Sequence, residues 1–157
     1  MRIILILLVL SQCSIKNELS EWETIFNGKN LDGWTVKVKG FPSGDNFGNT
    51  FKVVDEAIQV SYENYDNFDF KFGHIYYTEK KYKNYHLKLE YKFFGNQAIG
   101  GEGWATKNSG IMFHSQHPET MLIDQSFPVS LEAQFLGGLA DGKGQLETYV
   151  HLVLMWI

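Results

Sequence analysis

Five side chains of types used for proton transfer and hydroxyl recognition fall in three short segments of this sequence. Glu90 and Lys92 lie in "LEYKF", His114 follows "NSGIMF", and Glu132 and Gln134 lie in "LEAQF". Carboxylates and imidazoles exchange protons near neutral pH, so where such a set sits in space matters. In each segment the polar residues alternate with apolar ones. Leu87, Leu89, Tyr91 and Phe93 alternate with His86, Lys88, Glu90 and Lys92. Ile111 and Phe113 alternate with Met112 and His114, and Leu131, Ala133 and Phe135 with Ser130, Glu132 and Gln134. A period of two is that of a β-strand with one apolar and one polar face. If the three strands are neighbours in one sheet, Glu90, Lys92, His114, Glu132 and Gln134 share a surface. A solvated sheet face is equally polar, so the pattern by itself leaves both readings open.

The rest of the chain supplies more strands to hold those three. "WTVKV" and "HIYYT" read as strands, and "FKVVDEAIQVS" as two strands around an Asp-Glu turn. "FNGKNLDGW" carries Asn-Gly and Asp-Gly turn dipeptides, and "NYDNFDFKFG" reads as a polar-aromatic loop. No amphipathic helical pattern persists over a useful length, and no internal repeat is visible. Aromatic residues make up 15% of the chain and sit among β-branched residues and glycines, which favours sheets with many turns. The expectation is an all-β chain with two sheets packed as a sandwich.

A length of 157 residues is at most one domain, and 44% hydrophobic with 20% charged residues is a globular composition. A formal charge of -4 gives no basic field for a phosphate backbone, so no nucleic-acid partner is expected. The opening "MRIILILLVLSQC" has one cation at Arg2, an apolar run from Ile3 to Leu10, then small and polar residues. That is a secretory signal layout, and it falls short of the about 20 apolar residues of a spanning helix. Cys13 is the only cysteine, which rules out an intrachain disulfide. Its setting resembles the lipobox of bacterial lipoproteins, with Gln12 in place of the usual small residue. Residues 1–12 are therefore read as a signal peptide, Cys13 as the lipidation site and 13–21 as a tether. The expected location is the periplasm or outer membrane, with plain secretion as the alternative, and membrane contact only through the lipid.

Four blocks in order, "WETIFNGKNLDGW", "LKLEYKF", "KNSGIMFH" and "SLEAQFLGG", resemble the 3-keto-disaccharide hydrolase family. The resemblance implies a bacterial, exported protein with a concanavalin- or laminin-G-like jelly-roll β-sandwich. It also implies cleavage of a glycosidic bond whose sugar has been oxidised at carbon 3. A C3 ketone acidifies the C2 proton; a base removes it, the C1 substituent leaves, and water adds to the unsaturated sugar. Such a sequence uses a general base, an enolate stabiliser and an acid for the leaving group.

On that resemblance, Glu132 occupies the acidic position of the family's E-x-Q segment as base, acid or metal ligand. His114 is a second catalytic candidate, as base or as ligand to a divalent metal. Gln134 would bind a hydroxyl, and Glu90 and Lys92 would contact sugar hydroxyls or an oxyanion, with a cross-strand ion pair as the alternative. Asn108 lines the rim, and Trp104 in "GGEGWAT" is a stacking platform for a sugar ring or else a buried loop anchor. His74, His86 and His117 have no motif around them and read as structural. Two other functions stay open. A conventional glycosidase would set Glu90 and Glu132 about 5–9.5 Å apart across the bond. A lectin-like module would bind carbohydrate on the same face without turnover.

The tail "LETYVHLVLMWI" departs from the family, whose members continue with a segment like "GN-x-CTPGT-x-V". A last buried strand is one reading of it. Back-translated with one permitted codon choice and read from the last base of the Leu146 codon, it spells GNVCTPGTNVD. The expectation is therefore a partial domain over 22–145 and an out-of-frame tail over 146–157, with the later jelly-roll strands missing. Such a chain would be an inactive fragment, with uncovered core faces and unpaired edges.

Overall fold

The computed structural model describes residues 22–137 in full and the backbone of 153–156. The expected signal peptide, Cys13 and tether lie outside the described residues, as does most of the 146–157 tail. Within the described part the protein is all-β. Its only helical pieces are single 3-10 turns at Phe47–Asn49, Gly103–Ala105 and Pro118–Thr120. No helix among the described residues is long and apolar enough to cross a membrane.

Among the described residues, nine strands form four small antiparallel sheets. β2 (Trp34–Val38) pairs with β5 (Gly73–Tyr77), and β3 (Phe51–Val54) with β4 (Ala57–Val60). β7 (Asn108–Phe113) pairs with β8 (Leu131–Leu136). β1 (Trp22–Thr24) and β6 (Tyr85–Lys88) flank β9 (Val153–Trp156). The β3–β4 hairpin turns at Asp55 and Glu56, with φ of 49° and 61°. Two successive positive φ values are the geometry whose twist matches flanking strands, although Asp-Glu lacks the glycine that usually relieves it.

The core forms where β-branched and aromatic residues alternate toward one side. Val36, Val38 and Phe51 are its buried centre, with Leu31, Phe41, Phe47, Ile58 and Ile75 packed on them. Gly73, opposite Val38 on β5, is needed for close approach: a Cβ there would stand 3.2 Å from the Phe51 ring and 3.3 Å from Thr50 Cγ2. Thr50 is fully buried and satisfied, its hydroxyl bonded to Phe47 O at 2.6 Å and to Tyr65 Oη.

The opposite face of β2–β5 carries Thr35 and Lys37 beside Tyr76 and His74. The long connection 115–130 lies over it. Tyr76 Oη donates to Met121 Sδ at 3.0 Å, and Phe127 meets the His74 ring edge-on at 5.7 Å. Lys37 Nζ donates to Val38 O and Ile123 O at 2.9 and 3.0 Å, and Gly40 N donates to the same Ile123 carbonyl at 2.8 Å. With both faces covered, a strand that reads as half-polar is buried from Val36 to Val38, and Lys37 is only 1% exposed.

Two expectations are corrected. The segment read as the clearest strand, "YHLKLEYKFF", is strand only over Tyr85–Lys88. Its partner is β9, not β7 or β8, so Glu90 and Lys92 lie outside the ribbon that holds Glu132. Hydropathy alternation specifies which way side chains point but not which edge a strand pairs with. Secondly, the apolar face of β8 is not core: Leu131 is 58% exposed.

Candidate functional site

The polar face of the β7–β8 ribbon is set by its register. Met112 stands opposite Glu132, Gly110 opposite Gln134, and Asn108 opposite Leu136. Residues directly opposite share a face, so Asn108, Gln134 and Glu132 emerge on one side. Gly110 is the reason the carboxylate can lie where it does. A Cβ at that position would collide with Glu132 Oε1 and come within 2.9 Å of Ala133 O. Glu132 therefore folds across β7 into the gap that glycine leaves. It is exposed, and no ion pair holds it among the described residues.

A chain of hydrogen bonds runs away from that carboxylate. Gln134 Nε2 donates to Asn108 Oδ1 at 3.1 Å, and Asn108 Nδ2 donates to the Trp104 carbonyl at 3.0 Å. Trp104 sits in the 3-10 turn just before β7 and is 56% exposed, so it is a surface ring and not a buried loop anchor. Its indole stacks on Phe72 at 5.5 Å, and Phe127 adjoins both rings, 4.9 Å from Phe72 and 6.4 Å from Trp104.

His114 lies at the other end of β7. Its φ of 51° ends the strand, because a left-handed residue cannot continue the pleat. The exposed imidazole lines an open cleft of about 540 Å³ with Lys83, Asn84, Tyr85, His86 and Phe113. Glu132 does not line that cleft. His86, read as structural from the sequence, thus faces the same space as His114. Its place on the polar side of "YHLKLEY" was the available signal. Glu90 and Lys92 follow β6 outside the β7–β8 ribbon; around them Leu87, Leu89 and Tyr91 line a separate apolar groove with Ile111 and Phe135.

The connection between His114 and Glu132 is held in shape by an amide pair. Gln125 Nε2 donates to Gln116 Oε1 at 2.8 Å, Gln116 Nε2 to Thr120 O at 2.9 Å, and Gln116 N to Val129 O at 2.7 Å. Lys37 then ties Ile123 of this loop to β2. Burial pulls the Lys37 ammonium below its usual range, against the pull of the Asp124 carboxylate. Loss of hydration, with the Lys37 charge opposite, drives His74 down to about 4. Burial likewise pushes the Tyr76 phenol up to about 12.

His114 and Glu132, the two candidates for a divalent metal, do not line a common cleft. Among the described residues no three His, Cys, Asp or Glu side chains come together as a ligand set, and one carboxylate or one imidazole alone makes a poor site. What the ribbon does offer is an accessible carboxylate beside a bonded amide pair and an exposed indole. A proton acceptor, hydroxyl-binding groups and a ring surface are there joined side by side.

No curated protein matches this chain, and no solved structure does. The family model described as "3-keto-alpha-glucoside-1,2-lyase-like domain" matches residues 21–149, a span that includes every residue of the ribbon, Trp104 and His114. It also takes in the first four residues of the tail read as out of frame. The chain belongs to the 3-keto-alpha-glucoside-1,2-lyase-like domain family.

Proposed function

We propose that the β7–β8 face cleaves the glycosidic bond of 3-keto-glycosides, 3-keto-disaccharides among them. Glu132 takes the C2 proton; the electron pair moves into the C3 carbonyl as an enolate and then expels the C1 oxygen. The departing alkoxide takes a proton, and water adding across the resulting C1–C2 double bond yields the 3-keto sugar. "1,2-lyase" in the family description supports elimination across those two carbons. The observation that carries the assignment is the Glu132 carboxylate seated over Gly110 beside the Gln134–Asn108 pair. An exposed carboxylate can both reach a substrate proton and return it to solvent.

Gln134 and Asn108 bind ring hydroxyls, and Trp104 stacks a sugar ring. The proton for the leaving group comes from water; His114, at the end of β7 away from Trp104, is the second candidate for the base, and Glu90 and Lys92 meet hydroxyls at the substrate's edge. The domain belongs to a jelly-roll sandwich in which another layer covers the apolar side of β8, and exposed Leu131 supports that reading. In the same reading residues 146–157 are an out-of-frame tail. That tail's Val153–Trp156 pairs here between β1 and β6, so the DNA sequence through codon 141 and beyond decides between a slipped frame and a true last strand. Export through residues 1–12 and lipidation at Cys13 place the protein in the periplasm or outer membrane.

The test is Glu132→Gln in the full-length product of the locus, assayed on a 3-keto-disaccharide. Turnover should fall by about 10²–10⁴, the contribution of one positioned acid–base group, while sugar binding persists. Turnover unchanged in this variant removes Glu132 as the base. One observation favours a second reading, a carbohydrate-binding module: His114 and Glu132 do not line a common cleft. Binding without turnover of any oxidised disaccharide supports that alternative.

A further inference from the structure

Some aromatic rings of this fold lie inside and others stay at the surface. Phe26, Phe51 and Phe68 are buried, whereas Trp104 and Phe127 remain 56% and 44% exposed although both contact Phe72. Three rings gathered at the surface keep apolar area in water that burial would remove, which marks such a patch as a contact site. The patch is not detached from the polar ribbon. The Trp104 backbone carbonyl accepts from Asn108, and Asn108 accepts from Gln134, so two hydrogen bonds tie the backbone that carries the indole to the face that carries Glu132. Among the described residues no acceptor meets Trp104 Nε1, which leaves an N–H donor at the edge of the rings.

A ligand matching this surface has a flat apolar face and hydroxyls around its rim, and it continues onto a polar strip. A pyranose has that shape, its axial C–H groups forming the face and its hydroxyls the edge. We infer that Phe72, Trp104 and Phe127 form the subsite for the leaving-group pyranose, stacking it on the indole while the oxidised ring lies over Glu132. This rests on the glycoside reading and adds where the second ring sits. Phe127 comes from the loop that Lys37 ties to β2, so the subsite is assembled from three separate stretches of chain. No single sequence motif contains it.

The test compares two probes that share the oxidised ring: 3-keto-trehalose, and methyl 3-keto-α-glucopyranoside with no second ring. Calorimetric titration of the full-length protein, in the Glu132→Gln background that suppresses turnover, gives Kd for each probe without and with Trp104→Ala or Phe127→Ala. Both side chains are exposed, so near-ultraviolet circular dichroism should show the variants folded. Each substitution should weaken the disaccharide about tenfold, an effect of the size expected for one aromatic stacking contact, and change the methyl glycoside less than twofold. Equal weakening of both probes, or of neither, overturns the subsite. So does a wild-type dimer that Trp104→Ala dissociates, since the rings would then cover a second copy. Discrimination between the probes without turnover of either by the wild type keeps the subsite and counts against the enzyme reading instead.

Discussion

β2 and β8 are spelled in much the same way, each alternating apolar with polar residues, yet their surroundings differ. On β2 the inward residues meet Phe51 and the outward ones lie beneath the 115–130 loop, so even Lys37 is enclosed. On β7–β8 the polar face is open, and the apolar face leaves Leu131 in water. The first region is where stability resides. The second holds accessible polar groups in fixed register at little energetic consequence to the fold. A site that must admit a sugar and exchange protons with water belongs on the second kind of surface, supported by the first.

Substitutions of similar size should separate the two regions sharply. Phe51→Ala removes a buried ring from the core centre and should cost about 3–5 kcal/mol. Leu131→Ala on the exposed ribbon should stay within about 0.5 kcal/mol. Urea denaturation of both variants measures this, and comparable losses would mean the ribbon is more deeply packed than its exposure indicates.

His74 gives the contrast a pH dependence. Its folded-state pKa lies near 4, below the ordinary 6.5, so the unfolded chain binds more protons between those values. Stability from this group is therefore complete above about pH 6.5 and declines as pH falls, by on the order of 3 kcal/mol at pH 4. The groups that face it are Lys37 and Tyr76 from the sheet, with Asp124 of the covering loop close enough to act on Lys37. His74→Phe should flatten that part of the stability curve between pH 7 and 4. An unchanged slope in the variant would assign the acid sensitivity to other groups.

A small expected effect at Lys37 is informative about the covering loop. Both carbonyls that Lys37 reaches already accept backbone N–H groups, Val38 O from Phe41 and Ile123 O from Gly40. Lys37→Met therefore orphans no acceptor and removes a buried charge, so stability should stay within about 1 kcal/mol of wild type or rise. A loss of several kcal/mol would show that the ammonium, not the backbone, holds the loop in place.

Much of the local structure was legible in the residues. The Asp-Glu turn between β3 and β4, the strands "WTVKV" and "HIYYT", and the facing of Glu132 and Gln134 on one side follow from period two and turn chemistry. Trp104, Asn108 and Gln134 were singled out separately, and the structure links them in one hydrogen-bonded chain. Other features had no local signature. His86 comes to the His114 cleft, while Glu90 and Lys92 fall outside the ribbon, because pairing partners are chosen across the fold and not along the strand. Phe127 joins Trp104 through a loop folded back over β2.

The sequence by itself determined the all-β class, the family and the direction in which each strand's side chains point. These depend on spacing and on residue type, which are properties of neighbours in the chain. Tertiary structure alone decided which faces are covered, that Lys37 and His74 lie under a loop, and that Phe72, Trp104 and Phe127 meet from three stretches of chain. Those outcomes depend on contacts between remote segments, where apolar burial and backbone hydrogen bonding are balanced over the whole molecule.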